Sequence, residues 1–154
     1  MGLSTDVKAI AQSRDLGHGV FRAAAFYLGA TVDLFRISNG NVILKALFGI
    51  TSAGAVPGFA TTVQFRANPT AGAPVVLDTG TADLTGAVVG TMFGPTGTVG
   101  DACGLGLAIA GLDQSFIIPI GTIDFVCGRA TTPAQIRFVM YYVPLDLGAT
   151  VSVA

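Results

Sequence analysis

His18 is the single histidine of the chain and lies in Asp15-Leu16-Gly17-His18-Gly19. Nucleophilic triads and most transition-metal sites draw on imidazole. Such chemistry would have to pass through this one residue. There is no Glu, and no Asp stands in a paired motif with His18. The pattern reads as a solvated or interface histidine in a glycine-flanked arm. Gly104-Leu105-Gly106 has the first half of a dinucleotide fingerprint, but the third glycine is misplaced and no helix or downstream acid follows. Gly94-Pro95-Thr96-Gly97-Thr98-Val99-Gly100 lacks the Gly-Lys-Ser/Thr of a phosphate loop, so both stretches read as β-loops. Among the nine acidic residues, Asp78 and Asp83 flank the turn Thr79-Gly80-Thr81, and Asp101 and Asp113 bracket a glycine-rich stretch. Aspartate favours turns because its carboxylate bonds nearby backbone N–H groups. Neither cluster has the D-x-D-x-D-G spacing of a calcium loop. Cys103 and Cys127 lack C-x-x-C spacing. A disulfide between them and two small buried or half-buried thiols both remain open. These residues predict no catalytic group, no metal and no organic cofactor.

The elements that would have to position any site come from an unusual composition. The chain of 154 residues is 51% hydrophobic and 11% charged, against roughly 25% charged in ordinary domains. Apolar stretches are cut by Gly, Pro, Asn or Asp before the roughly 18 residues a spanning helix needs. The most tempting, Ala102 to Leu112, is short, glycine-rich and bracketed by Asp101 and Asp113. The excess apolar surface is therefore expected inside the fold and against other protein chains. That suits an assembly component better than a free enzyme. The net charge of −1 and the scattered basic residues leave no electrostatic footprint for nucleic acid. Near-neutral charge also does little to keep copies apart. Met1 to Lys8 has neither the basic nor the apolar region of a secretory signal, and Asp6 breaks the myristoylation pattern. Synthesis in a reducing cytoplasm is the expectation.

Turn signals recur about every ten residues between β-branched and aromatic runs, which predicts one all-β domain, an antiparallel β-sandwich of jelly-roll type. Residues 1–19 are expected to form an N-terminal arm, with a helical turn beginning at Ser4 or Thr5, and residues 20–154 the sandwich. Strands are predicted at Phe21 to Leu28, Thr31 to Ile37, Val42 to Thr51, Thr61 to Arg66, Val75 to Asp78 and Ala87 to Phe93. Four more are predicted at Leu105 to Ala110, Ser115 to Phe125, Ala134 to Val143 and Thr150 to Val153. Asn39-Gly40, in Ser38-Asn39-Gly40-Asn41, predicts a hairpin between the second and third, because both residues tolerate positive φ.

Alternation within 136–143 puts Ile136, Phe138, Met140 and Tyr142 on one face and Arg137, Val139, Tyr141 and Val143 on the other. Both faces are mostly apolar, as they are in Val42 to Ile50, where Lys45 is the only charge. A lone antiparallel sandwich should carry a polar outer face. Such strands are central in a thick core or lie at a subunit interface.

Gly121-Thr122-Ile123-Asp124 resembles the Gly-Val-Ile-Asp element of trimeric β-barrel dUTPases. That family stacks a tyrosine on the base three residues beyond the Asp, where this chain has Cys127. The glycine-rich C-terminal phosphate clamp of that family is absent.

A broader resemblance rests on three segments in order: Leu34 to Thr51 around Asn39-Gly40, Pro119 to Asp124, and Tyr141 to Val151. Together, across roughly residues 31–151, they resemble small virion-associated proteins of tailed bacteriophages. Proteins of this size and composition in phage particles resemble capsid decoration or cement proteins with jelly-roll folds. The resemblance implies a non-enzymatic homodimer or homotrimer on the capsid surface that braces joints between major capsid subunits. It implies contact with neither nucleic acid nor membrane. A tail, neck or head-fibre component is the alternative, and a dUTPase-like β-barrel enzyme a remote one. The arm residues Val7, Lys8, Ile10, Arg14, Leu16 and His18 are the expected partner contacts, since an arm with few apolar residues gains order by docking on a neighbour.

Overall fold

The computed structural model describes residues 17–27, 31–53, 62–79, 84–97, 104–106, 115–128 and 134–154. Among these the chain has no helix. It forms strands β1 (His18–Tyr27), β2 (Thr31–Ser38), β3 (Val42–Ala53), β4 (Val63–Pro69) and β5 (Val75–Val76), followed by β6 (Met92–Gly94) and β7 (Gly104–Gly106). The last four are β8 (Phe116–Ile118), β9 (Gly121–Cys127), β10 (Ala134–Pro144) and β11 (Thr150–Val153). One sheet runs β1-β10-β3-β6-β7 with β8 also paired to β3, and the other runs β11-β2-β9-β4-β5.

The pairing is nested. β1 pairs with β10, β2 with β9, β3 with β8, and β4 with β5, all antiparallel. A long antiparallel ribbon rolled on itself has this order, and it makes the two-sheet jelly roll. The all-β, sandwich-like reading of the sequence is thus what the chain adopts.

Both inner faces follow the period of two. Ile136, Phe138, Met140 and Tyr142 of β10 are buried, as are Ile123, Phe125 and Cys127 of β9. Tyr27, Phe65, Phe93, Phe125 and Phe138, from five strands, pack as one aromatic cluster with centroid separations of 5.0 to 6.1 Å. Edge-on and tilted rings dominate, as the ring quadrupole favours. Gly49 makes room for this cluster, because a Cβ there would overlap the Phe93 ring.

Three expectations need correction. Asn39 and Gly40 do take positive φ, 61° and 141°, but they do not close a hairpin. β2 and β3 lie in different sheets, so the turn is a corner of the sandwich. It docks on the connection after β10. The Asp146 carboxylate accepts the Asn41 N–H at 2.7 Å, and the Asn41 carbonyl accepts from Leu145 N–H at 3.0 Å. Ser115 to Phe125 is not one strand. It breaks at Pro119-Ile120, so that β8 joins one sheet and β9 the other. Proline cannot donate to a ladder, and Gly121, at φ 153°, presses so close that a Cβ would overlap the Asn68 carbonyl. Finally, β1 begins at His18, so His18 and Gly19 belong to the sandwich and not to the arm.

Bulges reset the alternation. Lys45 is the extra residue of β3 opposite Tyr141 and Tyr142, so the inward set changes from Val42 and Leu44 to Leu47 and Gly49. An extra residue in β2 lets the neighbours Leu34 and Phe35 both be buried. β1 carries one more between Arg22 and Ala25. A bulge adds one unpaired residue and bends its strand.

Candidate functional site

The two outer faces of the sandwich differ in kind. On the β11-β2-β9-β4 sheet the outer face is polar. Asp124 is 1% exposed, yet it points outward, where it pairs with Arg66 at 2.9 Å and accepts the Thr122 hydroxyl at 2.7 Å. Strand register sets this arrangement, since Asp124 stands directly opposite Arg66 on β4 and Asp33 on β2. A carboxylate this deep needs both partners to offset its lost hydration. The element that resembles the dUTPase aspartate therefore builds a cross-strand ion pair. A polar depression of about 360 Å³ lies alongside, between Arg36, Asn68 and Thr122.

On the opposite sheet the outer face is apolar. The register places Phe21, Val139 and Phe48 side by side across β1, β10 and β3. Tyr141 lies between Gly19 and Ala46 in the next row, and Arg137 stands beside Ile50. Phe21 meets Tyr141 edge-on at 6.0 Å and remains 63% exposed. Phe21, Phe48, Ile50, Val139 and Tyr141 line an open groove of about 710 Å³, with Arg22 and Arg137 as its charges. The strands with two apolar faces, 42–50 and 136–143, are thus neighbours, and their outward residues merge into one surface. Phe21 is exposed, Phe48, Ile50 and Tyr141 are half-buried and Val139 between them is buried; an apolar surface of this kind marks an interaction site.

Where the groove meets the flank, Arg22 turns inward and joins the two sheets. One guanidinium nitrogen donates to the carbonyl oxygens of Asp33, Leu34 and Ala154 at 2.7, 2.9 and 3.0 Å. The composition alone offered no sign of this clamp.

Of the expected partner contacts, His18 is exposed at the start of β1, with its ring 5.5 Å from that of Tyr142. Val7, Lys8, Ile10, Arg14 and Leu16 lie outside the described residues. The glycine stretch at 104–106 is a short strand paired with β6. Asp78 is buried and accepts the Phe65 N–H at 3.2 Å, and Asp146 organises a turn. Cys127 is buried on the inner face of β9, and Cys103 lies outside the described residues. Among the described residues no group of three or more His, Cys, Asp or Glu side chains could hold a metal ion, and no helix is long and apolar enough to cross a membrane. The residues missed at the sequence level are Phe21, Phe48 and Ile50. Their alternation is visible, but their convergence depends on which strands are neighbours.

Comparison with protein-family models, with curated proteins and with solved structures gives no match for this chain.

Proposed function

We propose that this chain is a non-enzymatic structural protein of a tailed-phage particle. In this reading it sits on the outside of the capsid as a homo-oligomer and braces joints between major capsid subunits. The observation that carries the reading is the apolar outer face of β1, β10 and β3, on a sandwich whose other outer face is polar. The jelly-roll architecture and the resemblance across residues 31–151 support it. The mechanism is mechanical. An oligomer that buries apolar surface across a joint opposes its opening, and many symmetry-related copies add avidity.

The test is to purify particles assembled with and without the chain, count its copies, and heat both. A copy number that scales with the capsid subunits, with earlier DNA release when the chain is missing, supports decoration. A small fixed number at one vertex supports a neck or tail role instead. Absence from purified particles overturns both readings. The arm is proposed to contribute to attachment. Deleting residues 2–16 is expected to leave the sandwich folded and to lower its occupancy on particles. A truncated protein that unfolds, with any folded remainder binding fully, assigns the arm to the core.

A further inference from the structure

Each sheet of the sandwich has two edges, and edges are where chains add to one another. A free edge offers unpaired N–H and C=O groups, and proteins blunt such edges by keeping them short or charged. Among the described residues three of the four edges are short: the one shared by β7 and β8, with 3 residues each, β11 with 4 and β5 with 2. The fourth, β1, has 10 residues, His18–Tyr27, and among the described residues no strand pairs with its outer side. Its sequence carries no acidic residue and one Arg or Lys, Arg22. That guanidinium is tied to three backbone carbonyls of the same molecule. The edge is long and free of proline, and its guards are the inward-held Arg22 and the bulge between Arg22 and Ala25.

The bulge in β1 has a specific consequence. Phe21 and Phe26 are separated by an odd number of positions, which would place them on opposite faces of a regular strand. The extra residue between Arg22 and Ala25 restores the phase. Phe21 stands opposite outward Val139 and Phe26 opposite Gln135, while Arg22 and Ala25 stand opposite the buried Phe138 and Ile136. Both phenylalanines therefore project from the outer face, 63% and 68% exposed, with the small residues Ala23, Ala24 and Ala25 exposed between them.

We infer that the edge of β1 pairs antiparallel with β1 of a second copy, around a two-fold axis passing between Ala23 and Ala24. This deepens the self-association within the proposed function by naming the surface and the symmetry. An identical antiparallel strand is the partner whose backbone groups match this edge without further design, since such a contact is isologous. In this register Phe21 of each copy faces Phe26 of the other on one continuous outer face, and the alanines let the backbones approach at the axis. In the same register Arg22, held inward, faces Ala25 of the other copy, so the two guanidiniums do not meet. The area is adequate. In this register residues 20–27 of the two copies overlap, a flank ~26 Å long and about 20 Å deep that presents roughly 530 Å² per copy, so a dimer buries about 1,060 Å² in all, just above the roughly 1,000 Å² a specific interface needs.

The test uses the full chain at micromolar concentration, with light scattering and native mass spectrometry. Wild type and the control Leu147→Lys, at a fully exposed position of the turn after β10, are expected at twice the 15.6 kDa chain mass. Phe21→Lys and Phe26→Lys are expected at the single-chain mass with unchanged circular dichroism. Phe21→Lys combined with Phe26→Asp is expected to regain the doubled mass, because the new charges face each other only across this register. Hydrogen exchange of wild type adds a readout that needs no variant: amides of 18–27 should exchange faster on dilution. A monomeric or odd-numbered wild type overturns the inference, as does an oligomer indifferent to both lysines or to dilution in 18–27. Failure of the double variant to recover overturns the register. Particle occupancy is measured separately, so the capsid reading can stand or fall independently.

Discussion

Phe125 of β9 and Phe138 of β10 lie with ring centroids 5.0 Å apart, one contributed by each sheet. Both are fully buried, and each touches the other aromatic members of the cluster. The two layers are joined here more closely than at any other aromatic pair described.

Replacing Phe138 with Ala should therefore cost about 3–5 kcal/mol of stability, and Phe125→Ala a similar amount. The double variant should lose less than the sum of the two, because the second truncation removes contacts already gone. Urea unfolding of the four proteins measures this. Strict additivity would show that the pair does not act as a unit.

Gly49 is required by the Phe93 ring that lies across it. Gly49→Ala is expected to destabilise by about 1–3 kcal/mol through overpacking. Adding Phe93→Leu should return part of that loss, although Phe93→Leu is destabilising on its own. A neutral Gly49→Ala in thermal unfolding would mean the ring moves aside freely.

Arg22 holds three carbonyls with one nitrogen. Hydrogen bonds to a charged donor contribute about 1.5–3 kcal/mol each at most, and two of these three are exposed. Arg22→Met should then lower stability by about 1–3 kcal/mol in total. It should also speed exchange of the Ala154 amide, which donates to Leu34. Unchanged exchange at Ala154 would refute the clamp.

The corner at Asn39-Gly40 distinguishes its two residues. Gly40, at φ 141°, packs against Asp146, so Gly40→Val should destabilise by more than about 1 kcal/mol. Asn39→Gly should stay within about 1 kcal/mol, because φ 61° suits both residues. Chemical denaturation of the two variants should show this order; the reverse order would place the strain elsewhere.

The sequence by itself determined the class of fold and most strand positions, because alternation and turn chemistry act over a few residues. It also determined that β3 and β10 have two apolar faces, since that follows from which residues occupy odd and even positions. The positive φ at Asn39 and Gly40 was legible for the same local reason. What only the tertiary structure decided is which strands are neighbours. Asn-Gly permits a tight turn, but whether the turn closes a hairpin or rounds a corner depends on β2 finding β9, and β3 finding β10, far along the chain. The split of β8 from β9 at Pro119 was decided likewise by the two sheets competing for one segment. Bulges, including the one that turns Phe21 and Phe26 to the same side, arise from register against a partner strand and leave no mark in the alternation of a single strand. The candidate surface follows the same division. Its residues are individually apolar in the sequence, but Phe21, Val139 and Phe48 form a row only because long-range pairing brings three distant segments side by side.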